Sequence, residues 1–233
     1  MIAHPLRVAL LLSVSFSAAS AQGIYAKAIE KAQKVADQES YGGQVSFPDG
    51  IARFLDLSLT EAAATVPPPF AMSSGFAKLA EPLRAAGQGA PAEALTALLN
   101  KLLVEAVPQA AQAVRGGAGS VALDDIPSLR AGRNALVDTL RKGAEPRIKE
   151  QLRPLIHQAA ETAGLPAAFE AFVAATGATL PDPKAALAAL EDQAMAQSLD
   201  VVFNYLARQE RVFRNDPSKA NDKFVTAAFN MLR

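Results

Sequence analysis

Apolar residues recur along this chain three and four positions apart, and nowhere do they alternate with polar ones over the length of a strand. The clearest stripe runs over 145–163, where Ile148, Leu152, Leu155, Ile156, Ala159 and Ala163 share one helical face. Similar stripes predict a helix over 51–66 (Ile51, Phe54, Leu55, Leu59, Ala62), a short one over 76–86, and a strongly amphipathic one over 91–114. A short helix is expected over 133–142, another after Pro166 carrying Phe169, Phe172 and Val173, and the longest over 184–213, bent near Glu191. A last helix carries Phe224, Val225, Ala228, Phe229 and Leu232.

Glycine and proline punctuate these stripes. Phe47-Pro48-Asp49-Gly50 has the composition of a turn. Pro67-Pro68-Pro69 ends one helix, Gly87 suits a left-handed cap, and Pro91 suits a helix start. Pro108 inside an apolar stripe predicts a kink or break near Ala106. Arg115 to Ser120 contains three glycines and predicts a flexible loop. Asp124 is placed to cap a short helix through Leu129. Gly164 and Pro166 mark a boundary, and Asn215-Asp216-Pro217 a stop and restart. The sum is an all-α chain of eight to ten helices in a single irregular bundle, with no repeat of fixed period.

The first residues read differently. Arg7 is a basic start, Val8 to Phe16 a short apolar run, and Ala19-Ser20-Ala21 a small-residue cleavage signal. The apolar run is short of the roughly 20 residues that span a bilayer. The expected organisation is a signal peptide over 1–21, a thinly amphipathic helix and linker over 22–49, and a helical domain over 50–233. The expected location is periplasmic or secreted, with no transmembrane span after cleavage.

Composition narrows the chemistry. The chain has no cysteine, which removes disulfides, thiol catalysis and thiolate metal sites. Removing Arg7 leaves 22 basic against 23 acidic residues, so net charge carries no footprint for nucleic acid or anionic lipid. The expected mature chain has one histidine, His157, flanked at helical spacing by Arg153 and Glu161. Glu161 would orient a general base there, but the same pattern is that of a solvated helix face. One histidine without cysteine does not make an ordinary zinc site, and no G-x-S-x-G elbow supplies a nucleophile. Gly116, Gly117 and Gly119 lack the Lys-Ser/Thr ending of a phosphate loop. Asp124-Asp125 and Glu191-Asp192 read as helix caps rather than metal ligands.

One polar row stands out. Asp200, Asn204 and Arg208 repeat four apart on the longest helix, beside the apolar Leu199 and Phe203. On a central helix they would form an internal polar network or the polar end of a ligand pocket; on a peripheral one they are its wet edge. The phenylalanines at 169, 172, 203, 213, 224 and 229 either fill a core or enclose an apolar ligand.

The closing block LEDQAMAQSLDVVFNYLARQERVFRNDPSKANDKFVTAAF resembles that of an exported bacterial all-helical family, the domain of unknown function numbered forty-one ninety-seven. The shared pattern is an LD-x-x-F core, a charged E-x-x-x-R stretch, an N-x-P turn and a final helix ending in Phe. LRKGAEPRIKEQLRPLIHQAAETAGLP and LAEPLRAAGQGAPAEALTALLNKLLVEAVPQA carry further segments, so the resemblance runs from about Gly50 to Arg233. The family's G-G-x-x-A-A-T loop is absent near 128–134. The resemblance implies helical architecture and export, and brings no activity with it. The function expected is non-catalytic and without cofactor: binding of an apolar or amphipathic small molecule such as a lipid, or alternatively docking onto an envelope protein. An enzyme would need polar groups converging around His157 or the Asp200 row.

Overall fold

A computed structural model describes residues 46–123 and 125–233; the expected signal peptide, the helix within 22–49 and Asp124 lie outside the described residues. The described residues form eight α-helices, one 3-10 turn and no strand. They are α1 (Phe47–Ala63), α2 (Ser74–Ala85), α3 (Ala90–Ala118), α4 (Ile126–Arg130), α5 (Ala135–Ala163), α6 (Leu165–Thr176), α7 (Pro183–Asn215), the 3-10 turn (Pro217–Ala220) and α8 (Lys223–Met231).

Several boundaries follow the chemistry read from the sequence. Gly87 adopts φ +71° just past α2, and Gly164 turns α5 into α6 at φ +78°. Asp182, Asp216 and Asp222 cap α7, the 3-10 turn and α8 through backbone N–H groups.

Three expectations are corrected. The Phe47-Pro48-Asp49-Gly50 run is the first turn of α1, with the Ser46 hydroxyl accepting from Asp49 N–H at 3.3 Å. Proline is tolerated in that turn because its missing N–H would have no partner there anyway. Gly50 faces α8 so closely that a Cβ would lie 2.5 Å from both Ala228 Cβ and the Phe224 carbonyl. The expected loop after Val114 is also helical as far as Ala118, and Gly117 lets α3 lie against Ile148 of α5. The short helix starts at Ile126 and is capped by Asp125.

The third correction concerns proline. α3 has no break at Pro108, and α5 is one helix through Pro146 and Pro154 where two helices and a gap were expected. All three prolines are exposed. The carbonyls they leave without an N–H, those of Val104, Lys142 and Glu150, therefore belong to the wet side of each helix. On the inner side the α5 stripe is unbroken from Leu136 to Ala160.

α3 is the central element, packed against α1, α5, α6 and α7, while α8 packs on α1. Leu95, Leu99, Leu102 and Leu103 of α3 share one buried cluster with Leu140, Ile148 and Leu152 of α5 and Leu199, Val202 and Leu206 of α7. Phe54, Phe213 and Phe229 meet edge-to-face, with centroids 5.0–6.0 Å apart. No helix among the described residues is long and apolar enough to cross a membrane.

Candidate functional site

α7 crosses the bundle and carries most of the candidates, so its phase decides which are buried. Leu199 and Phe203 point inward and are core residues. Asp200, Asn204 and Arg208 fall on the outer side. The Asp200 side chain is half exposed and pairs with Arg141 at 2.6 Å, while Asn204 and Arg208 are exposed. Arg208 lies over the Tyr205 ring. Arg141 extends the chain of charges to Glu145, which also meets Lys149. This row is a surface network along α5 and α7, not an internal one. Burial works to raise the Glu145 carboxyl, but Lys149 and Arg141 outweigh it and hold it below the usual range.

The internal polar network lies one turn further on. Glu210 is fully buried. Its carboxylate accepts the Leu136 and Val137 N–H groups at 3.1 and 2.9 Å, supplying the cap that α5 otherwise lacks. Arg214 donates twice to Glu210 and also reaches the Leu232 and Leu129 carbonyls at 3.1 and 2.6 Å. One ion pair thus joins α4, α5, α7 and the end of the chain. Burial pushes the Glu210 carboxyl above its ordinary range, against the pull of the two N–H groups and Arg214. The sequence does hold a signal for it: Leu199, Phe203, Leu206 and Glu210 are spaced four, three and four, so Glu210 stands on the apolar stripe.

His157 meets a partner that the sequence did not suggest. Its Nδ1 lies 3.0 Å from Glu191 Oε2 on α7, while Arg153 pairs with Asp192 at 3.2 Å. Glu191 and Asp192 are well inside α7 rather than at its start. The imidazole is more than half exposed, so the pair latches α5 to α7 at the surface. Among the described residues no group of three or more His, Asp or Glu is arranged to hold a metal ion. Gly116 and Gly117 sit inside α3, where helical bonding engages their N–H groups. Phe169, Phe172, Phe203 and Phe229 are buried in the core, Phe213 and Phe224 half-buried at its edge.

Two concavities stand out among the described residues. The larger is an open groove of about 280 Å³ between α3 and α5. Lys101, Glu105 and Gln109 form one wall; Leu155, Ala159 and Ala163 give an apolar floor, with Gln158 and Thr162 polar beside it. Gln109 Oε1 is buried there and has no hydrogen-bond donor. The smaller cleft, about 150 Å³, is lined by Arg133, Arg211, Arg214 and Asn215. Neither set was singled out from the sequence, because each mixes ordinary surface residues from two separate helices or turns. A family model described as a protein of unknown function (DUF4197) matches residues 69–230. No curated protein and no solved structure matches the chain.

Proposed function

Since the chain belongs to the DUF4197 family, whose model covers most of it, we infer that the mature protein is an exported, non-catalytic binder that holds an amphipathic small molecule in the α3–α5 groove. The observation that carries this reading is the make-up of the groove: an apolar floor of Leu155, Ala159 and Ala163 beside a wall where the Gln109 carboxamide has a buried oxygen without a donor. Leaving such an acceptor unpaired costs about 1–3 kcal/mol, and a turn of the Gln109 side chain into the groove would let a ligand O–H or N–H recover it. The core residues of α3, α5 and α7 are packed against one another, so ligand contact falls on the surface rather than inside the bundle. His157 bonds Glu191 and lines neither cavity, which leaves the groove without an acid–base group of that kind. The export reading rests on the sequence of 1–21.

The second reading is docking of an envelope protein on the same face. Val104 favours it: this valine is 53% exposed on α3, next in sequence to Glu105 of the groove wall. The deciding experiment is native mass spectrometry of residues 22–233 purified from a periplasm, beside a solvent-extracted sample and an Ala159→Trp variant that fills the floor. A stoichiometric adduct lost on extraction and absent from the variant supports the small-molecule reading. An apo mass in every sample, with an envelope protein crosslinked through the α3–α5 face, replaces it with the docking reading.

A further inference from the structure

The smaller cleft is positively charged in a chain with no net charge. It lies where the turn before α5 meets the end of α7, and three of its four lining residues are arginines. Their charges are not equivalent. Arg214 is matched by Glu210, and four of its N–H bonds are assigned to Glu210, Leu129 and Leu232. A guanidinium carries five such donors, so one on Nη1 remains. Arg133 and Arg211 are exposed, and among the described residues neither side chain forms an ion pair or hydrogen bond. The Asn215 carboxamide likewise has no partner among the described residues. Arg211 and Arg214, three apart on α7, rise from one helix face, while Arg133 approaches from the opposing turn.

We propose that Arg133, Arg211 and Asn215, braced by the Glu210–Arg214 pair, form a binding site for a phosphate group. A carboxylate offers two oxygens in one plane. A phosphate offers oxygens in several directions and so accepts from guanidiniums on both walls at once, with the carboxamide N–H completing the set. The buried Glu210 fixes Arg214 without spending the free arginines, so the site is held in shape before the anion arrives. The phosphate comes either as free orthophosphate or as the headgroup of an anionic phospholipid.

The test uses the full mature chain, ¹⁵N-labelled, at constant ionic strength held with chloride. Orthophosphate should shift the arginine Nε–Hε resonances of Arg133 and Arg211 saturably. Arg133→Gln and Arg211→Gln should each weaken binding by about tenfold at an unchanged melting temperature, since neither side chain holds a structural contact. Co-sedimentation with phosphatidylglycerol vesicles, against phosphatidylcholine vesicles, separates the sources. Vesicle binding that orthophosphate displaces assigns a lipid headgroup, and orthophosphate binding without it assigns the free anion. Shifts that are absent, that do not saturate, or that survive the double variant unchanged would overturn the site.

Discussion

Gln197 holds Ala71 by both atoms of its carboxamide: Oε1 accepts the Ala71 N–H at 3.0 Å and Nε2 donates to the Ala71 carbonyl at 2.9 Å. Gln193 donates to the same carbonyl, and Asn100 accepts the neighbouring Phe70 N–H at 2.6 Å. The extended stretch after Pro67-Pro68-Pro69 has no backbone partner of its own, and these three amides supply what a second strand would. Gln197→Ala should therefore lower stability by about 1–2 kcal/mol. It should also open 64–73 to limited proteolysis at a rate well above that of the parent chain. An unchanged cleavage pattern would show that the amides are incidental.

Glu210 is the point where a single change does most damage. Glu210→Ala leaves the partly buried Arg214 without its counter-charge and two N–H groups of α5 uncapped, at a cost of about 3–5 kcal/mol. Glu210→Gln keeps one acceptor and should fall between that variant and the parent. Urea denaturation of the three proteins gives the order directly.

Asp222 sets an acid limb to stability. Its burial works to raise the carboxyl, but Arg53 and the N–H groups of Val225 and Phe224 outweigh it, so the folded-state value lies below the ordinary one. A depressed carboxyl contributes stability that is present above the unfolded value and lost as pH falls through the folded one. Asp222→Asn keeps a capping oxygen and removes the charge. Its melting temperature should drop less steeply than the parent's on acidification below the normal aspartate range, and a parallel pair of curves would exclude Asp222 as a source of that limb.

Gly50→Ala should destabilise the domain by about 1–3 kcal/mol, because neither the Phe224 carbonyl nor Ala228 can retreat without moving α8. A thermal melt with no shift would mean that α1 and α8 separate at no cost.

Gln109→Met has the opposite sign. It replaces the unpartnered acceptor by a flexible apolar chain of similar length, and should stabilise ligand-free protein by about 1 kcal/mol. Binding in the groove should weaken in the same variant. Calorimetric melts of solvent-extracted protein, parent and variant, test the first effect.

The helical character of the chain, its core stripes and most of its caps were readable because each follows from spacing over a few residues. Leu199 and Phe203 belong to the core on phase alone, and Asp216 and Pro217 form the restart that their chemistry suggests. Proline was the misleading signal. Pro108 interrupts a backbone bond, but whether a helix tolerates that depends on what faces the freed carbonyl. Gly50 and Gly117 misled in the same way, since each looks like a turn residue until another helix is placed against it. The partner of His157, and the α5 residues that face Gln109 across the groove, come from segments distant in sequence, and no periodicity within one helix reports them.

The Arg53–Asp222 pair joins residues 169 positions apart, and with it α8 completes the surface on which α1 rests. α1 emerges early in synthesis and must wait, its Phe54 and Gly50 face uncovered, until α8 has followed. The domain thus has a built-in delay: local helices form as the chain appears, while its closure belongs to the last part made.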